Sequence, residues 1–152
     1  MTTCGMEPAA GHRFPAEALV LRVPTETEQV APTRRAVHDY LVAHAVPPPV
    51  ADDVRLVASE LVTNAIMHGR PVGAVDVHVE LPRRAEVVLE VSNDGPVAGI
   101  PPVDDWAPAP ALAPSGRGLG IVRRLCDAVE VRGDDHVATV VCRRGWYSGG
   151  QR

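Results

Sequence analysis

The chain contains no lysine, since all fifteen basic residues among its 152 are arginine. A Walker A phosphate loop, a eukaryotic-type protein kinase and a pyridoxal enzyme each need a specific lysine, so these classes are excluded. The three cysteines, Cys4, Cys126 and Cys142, are odd in number and lack CxxC spacing. They predict neither a disulfide framework nor a zinc site, and we expect Cys126 and Cys142 to be small core residues.

Long apolar runs and a basic, aromatic-rich stripe are also missing. No apolar segment is long enough to cross a bilayer, and the N-terminus lacks the features of a signal peptide, so we expect a cytoplasmic protein without a membrane partner. The formal net charge is −4 and aromatic residues make up only 3%. Nucleic-acid binding depends largely on phosphate neutralisation, so we expect no direct nucleic-acid activity. The length fits one compact domain.

The hydrophobic pattern divides the chain into an arm, a domain and a tail. Residues 1–17 resemble a flexible polar arm, residues 18–143 a single domain, and residues 144–152 a frayed tail. The domain begins with a strand at 19–23. A helix is predicted at 25–46, with Thr25 as its N-cap and Glu28 as the capping-box partner. After a proline break at 47–49, a second helix is predicted from about 50 to 68, with Gly69 as its stop.

The second half of the domain shows strand periodicity. Valines at 75, 77 and 79, and Val87, Leu89 and Val91, alternate with polar residues, so each of these two strands has one buried face. Residues 96–115 are proline-rich and lack periodicity, which predicts a long lid or binding loop. A third helix and two strands, near 128–132 and 137–142, follow. This order predicts a two-layer α/β (α+β) sandwich: a mixed, mainly antiparallel sheet with three main helices on one face.

The segment "SGRGLGIVRRL" at 115–125 places Gly116, Gly118 and Gly120 at the start of a helical pattern. Glycines permit close approach of the backbone, so successive N–H groups can face an anion, and the helix dipole adds to the attraction. This arrangement can bind phosphate without lysine. The alternative is that the glycines only permit a tight loop.

Polar residues in other elements suggest further parts of one site. Glu60 and Asn64 share a helix face, where they can hold Mg²⁺ through oxygen and provide a general base, or be a solvated pair. The alternation that buries Val91 turns Asn93 inward, to pair with a purine edge or with its own backbone. We expect Thr139 on the inward face of the last strand, where it reaches the same ligand or bonds within the core.

Four segments together carry a family resemblance. In chain order, "SELVTNAIMHG", "VSNDGP", "SGRGLGIV" and "VATVV" resemble the N, G1 and G2 boxes and the final-strand threonine of the GHKL (Bergerat-fold) ATP-binding superfamily. The segment "APTRRAVHDYLVAHAVPPPVADDVRLVASELVTNA" resembles the single-domain anti-sigma factor serine/threonine kinases common in actinobacteria. The resemblance covers roughly residues 14–143.

The resemblance implies an ATP site between the helices and the sheet. Asn64 matches the Mg²⁺-coordinating asparagine of the family, and Glu60 the glutamate that assists phosphoryl transfer. Thr139 matches the threonine near adenine, and residues 96–115 the ATP lid. The G1 segment contributes Asn93 and Gly95, and the phosphate-binding segment comprises Gly116, Arg117, Gly118, Leu119 and Gly120.

In the branch that the chain resembles, ATP serves to phosphorylate a serine or threonine of an anti-anti-sigma partner of the STAS type, and the same protein binds a sigma factor. Catalysis there implies positioning and charge neutralisation. By analogy with related proteins, Leu19, Val20 and the helix near Arg34 are candidates for a partner or homodimer surface.

The G1 segment departs from the family pattern of Asp-x-Gly-x-Gly. Here those positions hold Asn93, Gly95 and Val97, and strand alternation points Asp94 to the opposite face. The Asn93 amide can accept a hydrogen bond from adenine, but without charge assistance. A second function therefore stays open: a regulatory module without catalysis, which binds ATP weakly or not at all and acts by sequestering a partner.

Overall fold

Five antiparallel strands and three α-helices make up a two-layer sandwich, which confirms the predicted class. The computed structural model describes residues 17–83, 85–107 and 117–146. The strands are β1 (Leu19–Pro24), β2 (Ala74–Glu80), β3 (Glu86–Asp94), β4 (Ala128–Gly133) and β5 (Val137–Gly145), and the helices are α1 (Val30–Ala43), α2 (Pro48–His68) and α3 (Arg117–Leu125). The sheet order is β1-β2-β3-β5-β4, and every neighbouring pair is antiparallel.

The first helix begins later than predicted. A 3-10 turn at Thr27–Gln29 precedes α1, which starts at Val30 and has no side-chain cap. The predicted N-cap, Thr25, has a different role, because its hydroxyl lies 3.2 Å from the carbonyl oxygens of Pro71 and Gly73. Thr25 therefore ties the end of β1 to the α2–β2 connection, a contact between distant residues that a local capping pattern does not reveal.

The second helix runs from Pro48 to His68, so it begins about two residues earlier than predicted. Proline is tolerated in the first turn of a helix because the N–H groups there have no partner within the helix. The predicted stop is confirmed: the N–H of Gly69 donates to the Ala65 carbonyl at 2.9 Å, and the chain then leaves the helix in an extended conformation.

The core lies between the helices and one face of the sheet. The predicted alternation is confirmed, because the inward residues of β2 and β3 are all at most 3% exposed: Val75, Val77, Val79, Val87, Leu89 and Val91. The apolar stripe of α2 covers them with Val54, Val57 and Leu61. Burial of each such side chain contributes about 1.5–3 kcal/mol, so this layer is the main source of stability.

The opposite face of the sheet carries mostly polar residues, although Val88 and Val141 on it are buried, and it holds Thr139. The register pairs Thr139 with Ser92, and their hydroxyl oxygens lie 2.7 Å apart. The prediction that Thr139 faces the helices is wrong: the inward residues of β5 are Ala138, Val140 and Cys142. The segment "VATVV" is apolar at nearly every position, so alternation could not tell its two faces apart.

The last described strand extends into the segment that was predicted as a tail. Arg144 and Gly145 belong to β5, and Trp146 packs against the core. Residues 147–152 of the predicted tail and residues 1–16 of the predicted arm lie outside the described residues. Cys142 is 3% exposed, as expected for a core residue, whereas Cys126 is only half-buried. No helix in the described ranges has the length and apolar character that a membrane span requires.

Candidate functional site

A cleft of about 360 Å³ opens between the helical layer and the sheet. Its volume is within the range of small-molecule sites. Four parts of the chain form its walls: α2, the inward faces of β3 and β5, the segment after β3, and the first turn of α3. The lining residues are Leu61, Asn64, Ala65, His68, Val91, Asn93, Pro96, Gly99, Ile100, Pro101, Gly118, Leu119, Ala138 and Val140.

One end of the cleft is polar and suits an anion with its counter-ion. Glu60 and Asn64 lie one turn apart on α2, and the first turn of α3 approaches them. At Gly118 a Cβ would meet Oε2 of Glu60 and would lie 3.2 Å from Cδ. A larger residue at 118 would displace the Glu60 carboxylate, so glycine allows α3 and this carboxylate to lie side by side. The first N–H groups of a helix have no partner within the helix, so α3 offers donors at this end of the cleft.

The other end is apolar, with an amide at its edge. Val91 and Val140 face each other across β3 and β5, and Asn93 follows beside Ala138. Gly69 lies against Asn93 at this end, since a Cβ on Gly69 would be 3.1 Å from Nδ2 of Asn93. Gly69 caps α2 and is nine positions after Glu60, so the two ends are about 14 Å apart along the helix axis. An elongated ligand with a charged end and a flat apolar end matches this shape.

The segment after β3 begins with a glycine that its conformation requires. Gly95 has a φ of +158°, and a Cβ there would lie 3.3 Å from Nδ2 of Asn93. Its N–H donates to the carbonyl of His136 at 2.8 Å, which fixes the strand end beside the cleft. Val97, the residue that departs from the family pattern, donates its N–H to the Asp134 carbonyl and is not among the described residues that line the cleft.

The first part of the predicted lid is packed as a wall of the cleft. Trp106 is 3% exposed, and its indole N–H donates to the Pro101 carbonyl at 2.9 Å. From α3, Arg123 donates to the Asp104 carbonyl at 2.9 Å. Two 3-10 turns, at Val97–Gly99 and Val103–Asp105, shape the segment between these anchors. Residues 108–116 lie outside the described part of the chain.

The structure brings most of the predicted site residues together. Asn64, Asn93, Gly118 and Leu119 line the cleft, and Glu60 borders it. Gly95 lies behind Asn93, and Gly120 is buried within α3. As predicted, Asp94 points elsewhere, since its carboxylate accepts the N–H of Ala74 at 3.2 Å. Gly116 and the Arg117 side chain lie outside the described residues, and Thr139 is on the other face of the sheet.

Several lining residues were missed by the sequence analysis. His68, Leu61 and Ala65 line the cleft together with Asn64. Asn64, Ala65 and His68 follow Leu61 by three, four and seven residues, so all four lie on one helix face. Once Asn64 was assigned to the site, this spacing could have identified the other three. Ala138 and Val140 were missed because Thr139, rather than these two residues, was predicted to lie on the inward face of β5. Ile100 had no periodic pattern around it.

The site offers few groups that could hold a metal ion. Within the described ranges there is no cluster of three His, Cys, Asp or Glu side chains suited to a metal. A cation in the cleft would therefore depend on the Asn64 oxygen and on oxygens of a bound ligand. Mg²⁺ is commonly held in this way, by one or two protein oxygens together with substrate phosphates and water, so the residues present fit a Mg²⁺–phosphate group.

Comparison with known proteins agrees with this geometry. A family model for the histidine kinase-like ATPase domain matches residues 23–144. The anti-sigma F factor of Shouchella clausii (strain KSM-K16) is 32% identical over 97 residues, which cover 59% of this chain and 64% of that protein. The anti-sigma F factor of Bacillus cytotoxicus (strain DSM 22905 / CIP 110041 / 391-98 / NVH 391-98) is 33% identical over 97 residues, with the same coverage. The chain thus spans somewhat under two thirds of the length of these curated relatives. The resemblance to the GHKL superfamily is confirmed, and this chain belongs to the histidine kinase-like ATPase domain family.

Proposed function

We propose that the chain binds ATP with Mg²⁺ in the cleft and acts in the cytoplasm as an anti-sigma factor with serine/threonine kinase activity. The observation that carries the proposal is the meeting of Glu60, Asn64 and Gly118 at one end of a cleft whose other end is apolar. These three residues come from two helices that are distant in sequence. Their convergence is what a nucleotide with a charged and an apolar end requires.

Each residue of the polar end has a distinct role in this proposal. The side-chain oxygen of Asn64 is the protein ligand for Mg²⁺, and the N–H groups at the start of α3 donate to phosphate oxygens. The carboxylate of Glu60 accepts the proton of a serine or threonine hydroxyl on the protein substrate. Bound Mg²⁺ would supply charge neutralisation at the transferred phosphoryl group. Gly118 allows the donors and the carboxylate to lie side by side.

The apolar end holds the adenine ring in the same proposal. Val91, Val140 and Ile100 provide apolar walls for a flat ring, and Asn93 lies where a ring edge would be. The Asn93 oxygen can accept a hydrogen bond from the exocyclic amino group. Trp106 and Arg123 keep the wall over the ring in place through their contacts with Pro101 and Asp104.

The partners follow from the relatives. Two similar proteins are anti-sigma F factors. We therefore propose that this chain binds a sigma factor and phosphorylates an anti-anti-sigma protein of the STAS type. A homodimer through the first strand is part of the proposal: β1 is an edge strand, and Val20 on it is 69% exposed. Sedimentation of the purified protein tests this last point, since a monomer at all concentrations would contradict it.

Calorimetric titration with ATP, with and without Mg²⁺, tests the nucleotide site. We expect Mg²⁺-dependent binding in the micromolar range, and we expect Asn64→Ala to abolish it while the thermal unfolding midpoint is unchanged. The outer face of the sheet provides a control, Ser92→Ala, which should bind as the natural protein does because the half-buried Ser92 contacts Thr139 outside the cleft. If Asn64→Ala binds MgATP as tightly as the natural protein, Asn64 is not the metal ligand.

Transfer of labelled γ-phosphate to a STAS-domain protein tests the catalytic role. We expect Glu60→Gln to retain MgATP binding but to lose transfer, because the amide accepts no proton. The matched control is Glu90→Gln on the opposite face of the sheet, where Glu90 pairs with Arg132 at 2.9 Å. Full transfer by Glu60→Gln would show that Glu60 is not the proton acceptor.

A second candidate is a non-catalytic module that acts by sequestration alone. The uncharged amide of Asn93 at the cleft edge favours it, because the hydrogen bond to adenine then lacks charge assistance. In this case the natural protein does not bind ATP and Asn93→Asp restores binding. The same titration therefore distinguishes the two functions.

A further inference from the structure

The half-buried Cys126 and the buried Cys142 meet where α3 joins the sheet. Cys126 follows the last residue of α3, and its N–H donates to the Val122 carbonyl at 3.1 Å. The next residue, Asp127, donates its N–H at 2.8 Å to the carbonyl of Arg143, the residue after Cys142. This backbone bond holds the two Cys-containing dipeptides side by side, although 16 positions separate the cysteines in the sequence.

The two thiols share one small space between the helical layer and the sheet. Both cysteines line a cavity of about 10 Å³, together with Val57, Leu89 and Leu125. Hydrogen bonding with the Cys126 thiol and burial raise the pKa of the Cys142 thiol. The two cysteine side chains therefore line the same small cavity, so a short movement could bring their sulfur atoms into contact.

We propose that Cys126 and Cys142 are a peroxide-reactive pair that forms a reversible intramolecular disulfide. The partner of this site is a hydroperoxide, for which hydrogen peroxide is the simplest probe. Neither the nucleotide cleft nor the binding of a regulatory partner is needed for this reaction. It is a covalent modification site at the C-terminal end of α3, whereas Gly118 lies in the first turn of that helix.

The order of the two steps follows from exposure. The cavity beside Cys142 has the volume of one water at most, so peroxide cannot reach Cys142, whereas Cys126 is half-buried and accessible. The Cys126 thiolate attacks a peroxide oxygen, the O–O bond breaks, and one water leaves with the thiol proton. Cys126 is then a sulfenic acid.

Cys142 completes the reaction. Its sulfur attacks the Cys126 sulfur, the S–O bond breaks, and a second water leaves with the Cys142 proton. In total the two thiols lose two electrons and two protons, and one hydrogen peroxide becomes two waters.

Mass spectrometry of the full chain carrying Cys4→Ser tests the proposal. This background removes the third cysteine, which lies outside the described residues. After treatment with hydrogen peroxide we expect a loss of two mass units, a single linked peptide pair containing both cysteines, and full reversal by dithiothreitol. The closed loop is close to 15 residues, so the oxidised protein should unfold about 6–12 °C higher than the reduced protein.

Single substitutions in the same background separate the two roles. With Cys142→Ala we expect the sulfenic acid to accumulate at Cys126 and to be trapped by dimedone. With Cys126→Ala we expect the Cys142 thiol to resist peroxide. The mass change of the parent protein needs neither variant, so a variant that fails to fold does not remove the test. Two free thiols after treatment, disulfide-linked dimers, or sulfinic acid at Cys126 without a linked peptide would each overturn the proposal.

Discussion

Replacement of Gly118 by alanine sets two effects of opposite sign against each other. Alanine in a helix is more favourable than glycine by about 0.5–1 kcal/mol, and the lower figure applies in the first turn of α3. The new Cβ would meet Oε2 of Glu60 and lie 3.2 Å from its Cδ, so the carboxylate must leave its half-buried position. The atom that would clash is the far end of a flexible side chain, so Glu60 can relieve the clash by changing its side-chain torsions at a cost of about 0.5–1.5 kcal/mol. We therefore expect Gly118→Ala to lower the free energy of unfolding by at most about 1 kcal/mol.

Removal of the Glu60 side chain should reverse the sign. In a Glu60→Ala background the Cβ at 118 meets no carboxylate, so Gly118→Ala should stabilise the protein by about 0.5 kcal/mol. Urea unfolding of the natural protein, both single variants and the double variant gives the coupling energy, which we expect to be about 0.5–1.5 kcal/mol.

Gly99 provides the control for this cycle, because a Cβ there would meet nothing within 4 Å. Gly99→Ala should show no coupling to Glu60→Ala. Additive effects of Gly118→Ala and Glu60→Ala, with a coupling energy below about 0.3 kcal/mol, would refute the contact between α3 and Glu60 on which the polar end of the cleft depends.

Three further predictions concern the wall, the outer face and one turn. Trp106→Ala should lower the free energy of unfolding by about 3–5 kcal/mol, since it empties a buried site; a urea-derived loss under about 1 kcal/mol would contradict the packing of the wall. Thr139→Val should change ATP affinity by less than about twofold, because the lost bond to Ser92 is worth only about 1 kcal/mol and lies outside the cleft. A tenfold loss of affinity by calorimetry would indicate that Thr139 belongs to the nucleotide site after all. The N–H groups of Val137 and His136 donate to the Asp134 carboxylate and hold its pKa below the usual value. Asp134 therefore stabilises the fold fully at a pH above the pKa of the unfolded chain, and this stabilisation is lost as the pH falls through the lower pKa of the folded state. The difference in urea midpoint between the natural protein and Asp134→Ala should therefore be full near pH 7 and shrink below about pH 4, and a constant difference would contradict the assignment.

The strands and helices with regular hydrophobic periodicity were predictable because one side of each faces the core and the other side faces away from it. In β2 and β3, polar residues alternate with valine and leucine, so the buried face could be read directly. The stripe of α2 placed Asn64 beside Glu60 for the same reason. The last strand was predictable in position but not in orientation, since apolar residues occupy both faces around Thr139.

Predictions from local sequence patterns were wrong where a residue far away in the sequence contacts the same side chain. The hydroxyl of Thr25 could cap a helix, but the carbonyls of Pro71 and Gly73 lie beside it. The proline-rich segment after β3 carries no period, yet Trp106 anchors it in the core. Such contacts bring together residues that are far apart in sequence, so no window of the sequence contains both partners.

The sequence by itself determined the kind of site, because residue types and order carry the chemistry. The absence of lysine left backbone N–H groups as the candidates for holding phosphate, and the glycine segment at the start of α3 and the polar residues Glu60 and Asn64 of α2 were predicted to form one site. Only the tertiary structure decided which of these groups meet. The approach of Gly118 to Glu60, the departure of Thr139 to the outer face and the meeting of Cys126 with Cys142 depend on how α2, α3 and β5 pack. Packing is decided by long-range burial, which a local pattern cannot encode.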